Sequence, residues 1–341
     1  MIRAVIGDTW RQSRQQAVFI VMLVVMLVVL VGGIALPRPI VHPDGGKEFG
    51  TILSERPVTF FADRWTQDYA KTLLKGDEAS RTAARIAILT DQKLTPPERT
   101  RKMQEMRGEE QRAQNEAVSR ATDIPVYRRA VEYYVQVVVG AMFKITMLLF
   151  IAACAGYFPA MLGTGAVDIV LAKPLSRLKI YSARYLGGIT LYAAAITLFC
   201  ALLFAGIGLR TGIYHFRIFY GIPLLMFTAS LLYSLLALIG TASRSATMAM
   251  VVGYVFYVVV DSVVNLLLTA QPAFERFGWG SVGTVVKVLR NALPNFSHLN
   301  DMALASLLNV PAFDIAPFAI SLVWLLGCFG LGFWIFNERD Y

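Results

Sequence analysis

The sequence predicts an all-α integral membrane protein of six transmembrane helices, with a polar helical segment inserted between the first and the second. Three observations carry that class. Of 341 residues, 56% are hydrophobic and only 16% charged, against about 25% charged in an ordinary soluble protein, and mean hydropathy is +0.55. The apolar residues fall into separate runs close to the ~20 residues needed to cross a bilayer core. Charge is gathered into the gaps between those runs and into one long polar stretch, residues 37–133. That stretch holds 17 Lys/Arg against 15 Asp/Glu, which leaves 15 against 8 elsewhere, so most of the net charge of +9 belongs to the membrane part. Placed there, it reads as topology and contact with anionic lipid, not as a nucleic-acid surface.

Residues 1–36 comprise an interfacial helix and the first span. Arg3, Arg11 and Arg14 alternate with Ile2, Val5, Ile6 and Trp10, a pattern suited to a helix lying on the cytoplasmic leaflet. Ala17 to Leu36 is uncharged. It is longer than the 7–15-residue core of a secretory signal and is expected to stay as a permanent span, with the amino terminus inside.

Residues 37–133 change abruptly to the composition of a soluble helical domain, expected outside. Phe61, Trp65, Tyr69 and Leu73 recur every four residues and give one helix an aromatic stripe. Ala83, Ile86, Ala87 and Ile88 point to a second helix. In Thr95-Pro96-Pro97-Glu98, Thr caps a third helix, proline takes its first position and Glu98 reaches back to close a capping box. This helix should run to Arg120, with Glu98–Lys102 and Glu116–Arg120 as i,i+4 pairs. A solvated spacer and a docking module for an extracytoplasmic protein both fit the segment.

Residues 134–341 supply spans two to six: Val135–Phe158, Leu186–Leu209, Ile218–Gly240, Ala246–Leu268 and Ile315–Phe336. Lys144 in the second span is costly, about 3 kcal/mol on an insertion scale, and is expected to face the protein interior or to snorkel outward. Pro223 lies near the outer end of the fourth span, where a kink is tolerated. Asp261 and Asn265 share one face of the fifth. At helical rise Asp261 and Lys144 lie at matched depth, so an intramembrane pair is expected; Arg210 is the alternative partner for Asp261. Between the last two spans, residues 269–314 read as interfacial or partly inserted helices.

Between two otherwise apolar segments, charge is clustered in the turn 159–185, where Lys173, Arg177, Lys179 and Arg184 face a single acid, Asp168. A short basic loop is held on the cytoplasmic side, and Ala166–Ala172 is compatible with a short surface helix ended by Pro174. The order Asp168, the apolar Ile169 to Leu171, Lys173, Pro174-Leu175-Ser176-Arg177, then the aromatic-rich Tyr181 to Tyr185 resembles the cytoplasmic loop of ABC transporter permeases of the second type. Within that family it is similar to the permeases of multicopper-enzyme maturation systems. The resemblance implies a coupling helix at 163–179 that meets a separate ATPase subunit, which binds ATP and Mg, and a second permease copy, identical or not. It also implies that Leu293-Pro294-Asn295 belongs to short helices gating the outer side. The likeness covers 135–341; the insertion departs from compact members of the family. An orienting loop and an ungated interfacial helix are the plainer alternatives at these two places.

The chain carries no GxxxxGK[ST], so nucleotide hydrolysis is assigned to another subunit, and it has no HExxH or GxSxG. His42, His215 and His298 are scattered. Cys154, Cys200 and Cys328 lie singly in apolar runs, and Met22 with Met26 reads as packing, so no metal or redox site is expected. The function expected is the permease subunit of an ATP-driven exporter of the plasma membrane, with both termini cytoplasmic. A membrane-anchored sensor or assembly scaffold is the alternative.

Overall fold

The computed structural model describes residues 17–41, 46–54, 58–75, 88, 95–162, 176–263, 266, 292–308 and 314–338. The interfacial helix expected at 1–16, the helix expected around 83–88 except Ile88, and residues 269–291 and 309–313 of the interfacial segment expected at 269–314 lie outside them. Helices dominate. Among the described residues five are long and apolar enough to cross a membrane, spanning Val126–Met161, Arg177–Thr211, Phe216–Ser243, Ala246–Val263 and Ile315–Glu338.

The first helix, α1 (Ala17–Ala35), is nearly all apolar. It buries Phe19, Met22, Met26 and Leu30, one residue per turn, and leaves Val24, Val28 and Val31 exposed. The two methionines thus fill the core, as their spacing predicted. Immediately after α1 the chain forms an antiparallel hairpin, β1 (Pro37–Val41) with β2 (Lys47–Thr51), pairing Pro37 with Thr51 and Val41 with Lys47. This departs from a purely helical fold. Pro37 and Pro39 forbid a continuing helix, and proline is tolerated in strands only at an edge, where no ladder N–H is required. Arg210 donates to the Pro37 carbonyl, and Phe49 stacks edge-on against Phe61 at 5.3 Å. The hairpin therefore fastens one end of the bundle.

Helix α2 (Phe60–Lys75) follows. Its stripe behaves as predicted, with Trp65 fully buried and Tyr69 stacked on it at 4.8 Å. Helix α3 (Pro96–Thr122) begins at the predicted proline. Glu98 accepts from the Thr95 backbone N–H at 2.9 Å and from its hydroxyl at 2.6 Å, which holds the carboxyl below its ordinary range. Arg120 meets Glu116 at 2.7 Å, while Arg101 meets Glu105 at 3.0 Å.

Helix α4 (Val126–Cys154) starts nine residues earlier than the apolar run and is followed by the short α5 (Tyr157–Met161). Helix α6 (Arg177–Thr211) absorbs residues 177–185, expected as loop. Helix α7 (Ile222–Ser243) is enclosed at its centre, with Leu231 to Ala237 consecutively buried. Its Pro223 lies in the first turn, where its missing N–H has no intrahelical partner to lose, so no kink is needed. Helix α8 (Ala246–Tyr254) passes into a π turn, Val255–Val260. Helix α9 (Phe296–Ala305) and a 3-10 turn to Leu308 precede α10 (Ile315–Glu338).

Between lipid-facing helices the hydrophobic effect supplies little attraction, so close packing has to hold the bundle. At the end opposite the hairpin, α6, α7 and α10 meet through aromatic rings. Tyr181 contacts Phe158 and Phe329 at 4.8 and 5.2 Å, and Tyr185 stacks on Tyr233 at 5.1 Å. Two glycines make room: a Cβ at Gly332 would overlap the Tyr181 hydroxyl, and one at Gly188 would sit 2.6 Å from the Tyr233 hydroxyl. Gly332→Ala should therefore destabilise the protein by about 1–3 kcal/mol through overpacking. Tyr181→Phe in the same chain should recover part of that loss by removing the oxygen. Thermal unfolding in detergent reads both, and a double variant no more stable than Gly332→Ala would remove the contact as the cause.

Candidate functional site

Two motifs singled out in the sequence prove to be helix starts. Ser176 is the N-cap of α6, its hydroxyl accepting from the Lys179 N–H at 3.4 Å. Asn295 is the N-cap of α9, its side-chain carbonyl accepting from the His298 N–H at 2.7 Å. Pro294 precedes the second cap by one residue and disfavours helix before it. The first cap falls in the turn expected at 159–185, the second in a segment expected to form short helices.

At the first start, Arg177 donates to the Asn337 carbonyl at 2.6 Å, near the end of α10. The last carbonyls of a helix have no intrahelical partner and a negative potential, so a guanidinium suits them. Arg177 thus ties the exit of the 159–185 turn to the last helix. Lys179 is exposed, and Arg184 is buried, with its Nε donating to the Tyr157 carbonyl at 3.3 Å and its charge 5.7 Å from that ring. Asp168, Ile169, Leu171, Lys173 and Pro174 lie outside the described residues, as does Asn265.

At the second start, the π turn of α8 presents Phe256 and Tyr257 to Phe296, at 6.2 and 5.6 Å. Trp324 of α10 stacks on Phe256 at 5.7 Å and donates to the Ala292 carbonyl at 2.7 Å. Asp261 closes the π turn and is 7% exposed. One carboxylate oxygen accepts from the Ser297 N–H at 3.2 Å and the other from the Ser297 hydroxyl. Pro294 is buried, and Leu293, Asn295 and His298 line a small cavity with Asp314 and Pro317.

The expected Lys144–Asp261 pair is not made. Lys144 is exposed on α4, beside Ala141 and Ile145, while the Asp261 carboxylate is turned to α9. Matched depth placed the two side by side, but depth alone does not set which way a helix is rotated. Nor does Arg210 serve Asp261; it is engaged by the Pro37 carbonyl.

Two histidines are not isolated. His215 Nδ1 stands 3.5 Å from Glu132, which is buried and also accepts from Arg128 Nε at 2.9 Å. Neighbouring Arg129, itself buried, donates to the Thr66 hydroxyl of α2 at 2.6 Å. His298 lies 3.7 Å from Asp314. The sequence reading passed over Glu132 because it precedes the apolar run. Its spacing of four from Arg128 was the available signal. The three cysteines are buried and unpaired with one another, and among the described residues no three His, Cys, Asp or Glu side chains gather as a metal site.

This geometry is that of a multi-pass membrane protein with a polar contact at the start of α6 and another at the start of α9. A family model described as ABC-2 family transporter protein matches residues 67–336, most of the chain, and the protein belongs to that family. The match opens within α2, so it takes in much of the polar segment as well as every span from α4 onward. No curated protein and no solved structure matches the chain.

The exposure of Lys144 has a direct consequence. Lys144→Leu removes a charge from an apolar face where an insertion scale penalises it by about 3 kcal/mol, so the full-length variant should insert at least as well and melt no lower than the parent. A fall of several degrees in thermal unfolding would mean that Lys144 makes a stabilising contact.

Proposed function

We propose that the chain is the permease subunit of an ATP-binding-cassette exporter, working with a separate ATPase subunit that holds ATP and Mg and with a second permease copy. The observation that carries this is the family match across 67–336. In this reading α1 is the first of six spans, both termini are cytoplasmic, and the membrane is the plasma membrane. The hairpin, α2, α3 and α9 then lie outside, and residues 163–179 form the coupling helix.

Coupling divides between two groups of residues. Asp168, Ile169, Leu171 and Lys173 would meet the ATPase, and Pro174 would set the angle at which the chain leaves it. Ser176 and Arg177 would pass the displacement on, since the first caps α6 and the second holds α10 through the Asn337 carbonyl. Leu293, Pro294 and Asn295 would form the outer gate, because they begin the helix that packs between the fifth and sixth spans. Exposed α3 would be the surface offered to an extracytoplasmic protein. The cargo is either a transported molecule or a mechanical displacement delivered to that partner.

Asp168→Ala should leave the chain inserted, since Lys173, Lys179 and Arg184 still favour the cytoplasmic side. It should weaken recovery of the ATPase on co-purification from mild detergent about tenfold or more, the usual consequence of truncating one member of a desolvated charge pair. In the same cells a cysteine at Glu110 should react with an impermeant maleimide and one at Ser176 should not. Unchanged ATPase recovery would shift preference to a membrane-anchored scaffold, and labelling of Ser176 from outside would invert the topology.

A further inference from the structure

We infer that Asp261 is the positioning residue that locks the outer helix α9 to the fifth span, and that release of its hydrogen bonds to Ser297 frees that helix to move. The inference rests on the permease reading for its role in gating, but the clamp itself rests on the geometry alone.

A carboxylate in an apolar span is unfavourable unless it is fully engaged. Two donors of a single residue, Ser297, engage Asp261 in the first turn of a helix whose first N–H groups have no intrahelical partner. The Asn295 side chain takes a further N–H of that turn. The positive end of α9 and the carboxylate therefore stabilise each other. The attachment sits where α8 is least regular, directly after the π turn at Val255–Val260. Such i→i+5 turns weaken the helical ladder, and helices bend at them. Phe296, Phe256 and Tyr257 make the apolar half of the same joint.

The far end of the outer helix is held by different means. Leu308 is buried against Trp65, which packs with Tyr69, Ile124 and Tyr133. The segment 296–308 is thus a short rod fixed by a polar clamp to the fifth span at one end and by an apolar seat to the extramembrane helix α2 at the other. Opening the polar end requires the loss of the hydrogen bonds to Ser297 together with the ring contacts of Phe296 and the core seating of Leu299 and Met302, so Asp261 is where movement of α8 and movement of the rod are joined.

The test uses the full-length chain with Met302, which is 5% exposed, replaced by cysteine to report whether α9 is seated. The probe is a membrane-impermeant maleimide. Without nucleotide, labelling should be slow in this parent and about tenfold or more faster with Asp261→Ala or Ser297→Ala, as expected for losing a charge-assisted hydrogen bond. Exchanging the pair, Asp261→Ser with Ser297→Asp, should restore slow labelling, because the same bond then runs in the opposite sense. Equal rates in every variant, or an exchange that fails to restore protection, would overturn the clamp. If Asp261→Ala does not accumulate, Asp261→Asn and the exchanged pair give the decision by the same criterion. A second arm adds Mg·ATP and vanadate to the complex with its co-purified ATPase. Labelling of the parent should depend on nucleotide state, whereas Asp261→Ala should label at one rate in both while hydrolysis continues. A clamp that behaves as expected in the first arm with no nucleotide dependence in the parent would overturn the permease reading and the gating role with it.

Discussion

Hydrocarbon offers no partner to a hydrogen-bonding group, and this requirement organises the whole molecule. Backbone groups meet it by forming helices. Side chains meet it by reaching a neighbour. Tyr185 donates to the Ser230 carbonyl at 2.6 Å, Tyr254 to the Leu148 carbonyl at 2.9 Å, and Thr146 pairs with the Tyr192 hydroxyl at 3.1 Å. Each of these joins two different helices, so the rule that forces polar atoms to be satisfied also decides which helices are neighbours. Asp261 is the most demanding case, being a carboxylate, and it is served by the start of another helix.

Where helix ends meet water the same logic changes form. Two motifs picked out in the sequence contain capping devices: Ser176 and Asn295 close helix starts, and Arg177 reaches the Asn337 carbonyl near a helix end. Such contacts make the two faces of the bundle stiff at defined points.

Helix α2 is no loose appendage. Trp65 is seated against Leu308, Arg129 holds Thr66, and Phe49 and Phe61 surround Tyr134. Aromatic side chains bury large areas at low conformational cost, so a few of them anchor a polar segment on the membrane bundle. Helix α3 carries almost no buried residue beyond Ala117 and extends about 40 Å at helical rise. Anything it meets would act on α2 and, through Leu308, on the outer helix.

What the amino-acid order decided was local and periodic. It set the apolar runs, their number to within the treatment of α1, the capping box at Thr95, the aromatic stripe of α2 and the packing role of Met22 and Met26. The likeness to a permease family rested on residue order as well, and the match over 67–336 agrees with it. Rotation and partnership were decided elsewhere. Lys144 and Asp261 have matched depth in the sequence, yet one faces outward and the other faces α9, because α4 turns Phe143, Met147 and Phe150 to the core and α8 turns Tyr257 and Asp261 to the start of α9. The hairpin at Pro37–Thr51 and the joint of Glu132 with His215 bring together residues far apart in the chain or polar stretches without period. A one-dimensional pattern records which face of a helix is apolar, but only the assembled bundle determines which neighbour that face meets.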